Sequence, residues 1–465
     1  MSKILPKRKM YRYCLADIAK GLFNGMIGNY LLYFFQPTAK SGLPVLLPQN
    51  KLLGFITIMA LITGLGKIVD AVTDPLVAAL SDKCTHKAGR RMPFLRYSAI
   101  PYALSVLLIF YAPFSEGSLA NALWVGFFLI AYYTAYTFFF IPRNALVPEI
   151  IPDAKVRVGY YGVSTAFFMG SSSFMYAATL FVNMLKNAGL SPLWAWRTVF
   201  TVFAAIGVTC LLLSAYAFEE KDYVENNVKP KESLLRSFKQ VFQNKNFLCF
   251  TIGDLFSGVS MAFFQTAMLY YITMLLNVPE SQSFLVMLSA IAVALCLFPL
   301  IIKLSRKYNK KLPLVAASIV FTVVFAFIFF GDKIAALAPG HELLIGLGMG
   351  IVVAFPFAAI NILPQSIISD IIQQDSLQSG INREGIFSAT KTFIEKIASA
   401  LAMVIVSSIL AIGAAQGESV GLLGVKLTGI FAGGFSLLSL IFFILYNDKA
   451  VTAYIEAHSK KEANR

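Results

Sequence analysis

The sequence predicts an all-α integral membrane protein with twelve transmembrane helices arranged as two six-helix bundles. Three observations carry this expectation. Hydrophobic residues fill 57% of the 465 positions and charged residues only 14%, well below the quarter or so of charge that a water-soluble domain carries. Apolar runs recur about twelve times, each near the ~20 residues needed to cross a bilayer. One long hydrophilic stretch, Glu219 to Asn246, leaves six runs on either side of it.

The runs fall at 12–36, 52–80, 93–114, 119–142, 158–185, 193–218, 247–276, 282–303, 312–331, 343–373, 385–413 and 422–446. The first follows a basic segment containing Lys3, Lys7, Arg8 and Lys9. It is too long for the core of a signal peptide, and no small-residue cleavage site follows it, so it is expected to be retained. The domain boundaries that follow are 1–218 for the first bundle, 219–246 for a linker, 247–448 for the second bundle and 449–465 for a tail. Within the linker, Leu234, Leu235, Phe238, Val241 and Phe242 recur at helical spacing, which predicts an amphipathic surface helix.

Most of the 39 Lys and Arg residues fall in alternate loops, on the side that also receives both termini. The positive-inside rule makes that side cytoplasmic and places the chain in the plasma (inner) membrane. The net charge of +15 is thus explained by topology, and a nucleic-acid partner is not expected. The partners expected are membrane lipid and a small molecule, with the chain acting as a monomer. Cys14, Cys84, Cys210, Cys249 and Cys296 are scattered and form no disulfide framework. His86, His341 and His458 lie in loops or tail, with no metal-ligand spacing, and no Gly-Lys-Ser/Thr phosphate loop is present. An enzyme or an ATP-driven pump is therefore not expected, and no cofactor is.

The chemistry concentrates in the second run, where Asp70 and Asp74 stand one helical turn apart. An ionised carboxylate at the bilayer centre costs at least ~2.5–3.5 kcal/mol and marks function by default. Two of them at i,i+4 share a helix face, roughly 5–6 Å apart. Such a pair shares a proton, holds a cation, or is neutralised by a buried base such as Lys67.

A longer pattern surrounds the pair. Lys67-x-x-Asp70-Ala71-Val72-Thr73-Asp74-Pro75 is followed by Gly89-Arg90-Arg91-Met92-Pro93-Phe94, then by Ile141-Pro142-Arg143-Asn144-Ala145-Leu146-Val147-Pro148-Glu149, and in the second half by Arg383-Glu384-Gly385-Ile386-Phe387 leading to Lys396. In order and content these patches resemble the glycoside–pentoside–hexuronide:cation symporter family of the major facilitator superfamily. The resemblance implies secondary active transport, with Na⁺ or H⁺ driving symport of a sugar, glycoside or hexuronide. Lysolipid transporters of the same fold also resemble this family and stand as the alternative.

Carried over by position, the resemblance places the cation site at Asp70, Thr73, Asp74 and Thr137, with Lys396 as a counter-charge; the alternative for Lys396 is a pair with Glu395 or another local acid. It places a gating latch at Asp82, Gly89, Arg90, Arg91, Arg383 and Glu384. The family's sugar-binding aspartates fall on Gly21 and Phe140, its tryptophan on Asn144 and its fifth-helix arginine on Thr165, so the substrate machinery is rebuilt here. Arg143, whose planar fork suits a carboxylate, and Lys391, paired with Glu395 at i,i+4, are the expected replacements. Asn24, Asn144 and Asn361 are expected as polar contacts, since amides inside spans need partners. Arg143 has a structural alternative, a pair with Glu149 or Asp153.

Overall fold

The computed structural model describes residues 5–49, 51–52, 56–151, 154–223, 243–379, 384–415 and 418–463. Helices dominate: α1 Lys7–Cys14, α2 Ala16–Gly25, α3 Leu31–Phe35, α4 Ile58–Lys83, α5 Met92–Phe110, α6 Leu119–Ile150, α7 Ala154–Phe174, α8 Ala178–Asn187 and α9 Pro192–Ala215 precede the linker. After it come α10 Lys245–Tyr270, α11 Glu280–Lys307, α12 Lys311–Phe329, α13 Gly331–Leu337, α14 Glu342–Ser379, α15 Glu384–Leu410, α16 Leu422–Leu445 and α17 Asp448–Ala463. The only strand pairing among the described residues is a two-residue antiparallel contact of Lys51–Leu52 with Ile56–Thr57.

Local chemistry sets several helix starts. Thr57, Ser118 and Asn244 each accept from a backbone N–H of the first turn they precede, at 3.0, 3.1 and 3.0 Å, to cap α4, α6 and α10. The first apolar run is not one helix. Leu15 separates α1 from α2, and a π-helical turn over Met26–Tyr30 separates α2 from α3; such turns gather at functional sites. The fifth run is likewise divided, by a 3₁₀ turn at Met175–Ala177 between α7 and α8.

Ten helices among the described residues are long and apolar enough to cross a membrane on those criteria alone. The two shortfalls from twelve have physical causes: the first run is broken into short helices, and α4 carries Lys67, Asp70 and Asp74 in its interior. A second difference concerns the fourth run, expected to end at Pro142. Instead α6 continues for two further turns to Ile150, so Arg143 and Asn144 lie within a helix. A mid-helix proline removes one backbone hydrogen bond, and here the surrounding packing and polar contacts keep the helix continuous.

The described chain forms two compact units, Met1–Val228 with Met403–Gly421, and Lys229–Ala402 with Leu422–Arg465. In the first, α5 and α4 pack on α6, while α2 packs on α7 and α9. Close approach requires small residues: a Cβ at Gly21 would meet the Ser171 hydroxyl and stand 2.5 Å from the Phe168 carbonyl oxygen on α7. In the second, α10 and α12 pack on α16, and α11 on α14. Its core includes Phe250, Ala354, Leu363, Ile367 and Phe443, and it extends to Val451 on α17. The segment expected as a tail is thus a helix with a buried foot. The predicted amphipathic linker helix lies mostly outside the described residues.

One device recurs in both units. Glu220, just past α9, accepts through one carboxylate oxygen from the N–H groups of Arg91 and Met92 at 2.8 and 2.9 Å, where α5 begins. Asp448, just past α16, accepts from the N–H of Lys310 at 3.1 Å, where α12 begins. In each unit an acid after the sixth apolar run covers the exposed amides at the start of the third. Those amides have no partner within their own helix, and the repetition is that expected of two internally repeated halves.

Candidate cation and substrate sites

The cation candidate forms where α4 meets α6. Helical spacing puts Asp70, Thr73 and Asp74 on one face of α4, and Thr137 comes from α6. The Thr137 hydroxyl lies 3.0 Å from Asp74 Oδ1 and 3.4 Å from Asp70 Oδ1, and Thr73 Oγ1 lies 3.4 Å from Thr137 Oγ1. Asp70 is 3% exposed and Thr137 fully buried. The structure thus brings the four expected side chains together. The donor set is two carboxylates and two hydroxyls, hard oxygens of the kind a Na⁺ ion takes. Lys67 stands over the Tyr133 ring at 4.6 Å.

Arg143 is where the structure departs most from expectation. Its Nη1 and Nη2 donate to Asp17 Oδ1 and Oδ2 at 3.0 and 2.7 Å, and Nη2 also donates to the Tyr13 carbonyl at 3.0 Å. Ser164 Oγ adds a hydrogen bond to Asp17 Oδ2 at 2.5 Å. Both side chains are almost wholly buried, at 2% and 5% exposure. The fork expected to receive substrate is filled by the protein's own carboxylate. The partner is also not Glu149, which holds Arg90 and Arg91 at 3.3 and 2.8 Å; Asp153 lies outside the described residues.

Lys391 forms the expected pair with Glu395 on α15 and gains Asp254 of α10 at 3.5 Å. Asp254 and Lys391 are each 8% exposed, and Glu395 is exposed. An ammonium is thus shared by two carboxylates inside the second unit.

The turn before α5 is shaped by Glu220 as well as by charge. Gly89 has φ +113°, a conformation that L side chains rarely adopt, and a Cβ there would stand 2.6 Å from Glu220 Cβ. Arg91 Nη1 also donates to the Ala145 carbonyl at 2.5 Å, and Arg96 pairs with Glu219 at 2.7 Å. Gly89, Arg90 and Arg91 are therefore fastened to α6 and to the end of α9 within one unit. Of the other latch residues, Arg383 lies outside the described residues, as do the side chains of Asp82 and Glu384.

A family model described as "MFS/sugar transport protein" matches residues 12–446. The chain belongs to that family. Like this MFS/sugar transport chain, its relatives are named as transporters. A putative glycoside/cation symporter, YagG of Escherichia coli (strain K12), is 24% identical over 76% of this chain and 74% of its own length. Lactose permease of Lactobacillus helveticus is 22% identical over 85% of this chain and 61% of its own length. Among solved structures, a D-xylose–proton symporter superposes with a TM-score of 0.60 at 14% identity, covering 94% of this chain and 96% of that one. These comparisons establish a multi-pass transporter of the major facilitator fold and not an enzyme.

The remaining expected contacts of this MFS/sugar transport protein fall two in each unit, Asn24 and Asn144 in the first and Asn361 and Lys396 in the second. Asn24 accepts from the Tyr132 hydroxyl at 3.2 Å. Asn361 is exposed and donates to its own helix at Phe357 O, 2.7 Å away. Asn144 is exposed on α6, and Lys396 half-buried on α15. Glu220 and Ser164 were not anticipated, since neither sits in a motif. The pairing of Asp17 with Arg143 was also missed, although a buried arginine's need for an acid was a usable signal.

Proposed function

We propose that the chain is a secondary active symporter in which Asp70, Thr73, Asp74 and Thr137 bind the coupling cation and a sugar-like solute is the cargo. The observation that supports this best is the Thr137 hydroxyl, within 3.4 Å of both aspartates. Two ionised carboxylates on one helix face, Asp70 buried and Asp74 half-buried, repel each other and lose part of their hydration. A cation among the four oxygens relieves both penalties, so its binding energy is available to bias the conformation of the first unit.

Na⁺ uses all four oxygens, whereas H⁺ needs one carboxylate, and the two-hydroxyl complement favours Na⁺. The sugar-like cargo rests on the names of relatives: glycoside/cation symporter, lactose permease and D-xylose–proton symporter. In the family's architecture two bundles alternate in exposing a central site. We place the protein in the plasma membrane, with both termini on the cytoplasmic side that the basic loops indicate.

Reconstituted vesicles test this reading. Sugars are screened for accumulation under an inward Na⁺ gradient, an inward H⁺ gradient or neither. Accumulation under Na⁺ alone is expected; accumulation driven only by H⁺ would reassign the ion, and equilibration without any driving force would make the protein a uniporter.

A further inference from the structure

We propose that the exposed groove between α5 and α6 holds an anionic phospholipid, with one acyl chain lying in the groove and the phosphate resting on Lys83, His86 and Lys87. The cation candidate lies between α4 and α6, so this is a separate site, and it does not depend on the symport reading.

The groove encloses about 530 Å³, inside the roughly 300–1,000 Å³ range of pockets that hold a ligand. Tyr97 and Phe127 rim it at 73% and 66% exposure, while Pro93, Ser98 and Ala135 are buried at its floor. No charged or amide side chain lines it, and Ser98 spends its hydroxyl on the Phe94 carbonyl at 2.7 Å. Such a lining offers a polyhydroxylated solute few partners and suits a hydrocarbon chain.

Its length fits one leaflet. Along α6 the lining runs from Phe127 to Phe138, about 16 Å at the helical rise per residue. Half of a bilayer's hydrocarbon core is about 15 Å deep. Pro93 and Phe94, at the start of α5, set the near end of the groove beside the loop that joins α4 to α5.

That loop supplies the charge. Lys83 ends α4, and Lys83, His86 and Lys87 are all exposed. Among the described residues no acid pairs with these three, because Glu149 is taken by Arg90 and Arg91. The His86 ring stands edge-on to Tyr97, with centroids 6.5 Å apart at 89°, which brings the loop over a rim of the groove. His86 Nδ1 accepts from the Ala88 N–H at 3.1 Å, so a neutral ring carries its proton on Nε2, a donor for a phosphate oxygen. Each basic side chain beside anionic headgroups strengthens attachment about fivefold. A basic loop alone attracts headgroups without holding a chain, and an apolar groove alone holds chains without choosing a headgroup. Here the two meet at His86 and Tyr97.

The test places the purified full chain in phosphatidylcholine vesicles doped with a lipid that carries a photoreactive acyl chain. The probe's headgroup is phosphatidylglycerol, phosphatidylethanolamine or phosphatidylcholine, and labelled peptides are mapped by mass spectrometry. In wild type the phosphatidylglycerol probe should label 93–101 and 127–138 at least about fivefold more than either other probe. Labelling of α16, where Leu437, Leu438 and Ile441 are exposed, is the reference for bulk lipid and for folding. Joint substitution Lys83→Gln, His86→Gln and Lys87→Gln should bring phosphatidylglycerol labelling down to the phosphatidylcholine level. Ala131→Trp, which plugs the middle of the groove, should suppress labelling of both segments by every probe and leave that of α16. Excess glycerol phosphate should not compete, since the chain carries part of the binding. The proposal is overturned if the three probes label the groove equally in wild type, if the glutamine variant keeps the preference, if Ala131→Trp is labelled like wild type, or if glycerol phosphate alone displaces the lipid.

Discussion

Asp17 and Arg143 are bonded through both carboxylate oxygens and both terminal guanidinium nitrogens, at 3.0 and 2.7 Å. The pair joins α2 to α6 deep in the first unit, and Ser164 extends it to α7. Breaking a buried pair by removing one partner costs roughly 3–5 kcal/mol, because the other charge is left uncompensated. Arg143→Gln and Asp17→Asn should each lower the thermal midpoint of the purified protein substantially, and the double variant should recover much of the loss. A double variant as unstable as the sum of the singles would mean that the two groups act independently.

The same geometry bears on specificity. Because Asp17 and Tyr13 occupy the Arg143 fork, an Arg143→Gln protein that still folds should lose affinity for charged and neutral members of a sugar pair alike. Selective loss of the anionic member would return Arg143 to the substrate site.

Restoring an acid to the first helix should not restore a neutral-sugar transporter. A Cβ at Gly21 collides with the Ser171 hydroxyl and the Phe168 carbonyl on α7. Gly21→Asp is expected to destabilise by more than about 2 kcal/mol, in the manner of overpacking combined with a buried charge. A stable Gly21→Asp variant with new affinity for neutral galactosides would show that α2 and α7 can separate.

The turn at Gly89 depends on Glu220. Glu220→Ala leaves the N–H groups of Arg91 and Met92 unsatisfied, a loss of about 1–3 kcal/mol. Limited proteolysis should then cut within residues 84–91 faster than in wild type, while an exposed loop elsewhere is cut at its usual rate. Unchanged cleavage would assign the capping to solvent.

A weaker tie has a pH signature. Asp332, between α12 and α14, is bonded to Lys426 at 2.6 Å, and this contact holds its carboxyl below the ordinary value. A depressed carboxyl adds stability that is complete above the unfolded-state value near 3.9 and fades as pH falls through the folded value. The pair is partly exposed, so its contribution is below about 1 kcal/mol. Asp332→Asn should melt earlier than wild type at pH 6, with the gap narrowing as pH falls below the unfolded-state value. A gap that is constant with pH would exclude the ion pair as its cause.

The sequence was most legible where a physical constraint acts locally. The apolar runs, the long hydrophilic linker and the i,i+4 spacing of Asp70 and Asp74 needed no long-range knowledge, and the family is shown by the model match over residues 12–446. Thr137 was reachable only through the resemblance, because its distance from Asp74 depends on how α4 packs on α6. The breaks in the first run and the continuation of α6 past Pro142 were not legible, since packing decides whether a helix tolerates a glycine or a proline. Arg143 shows the limit most clearly. Its chemistry suited an anion, and its partner turned out to be an aspartate 126 positions away in the chain.

The central claim is that Asp70 and Asp74 hold one coupling cation between them, and gradient-driven sugar accumulation in reconstituted vesicles tests it most directly. Asp70→Asn and Asp74→Asn should each abolish accumulation under an imposed Na⁺ or H⁺ gradient while the purified proteins remain folded and still bind sugar. Full gradient-driven accumulation in both variants would contradict the account.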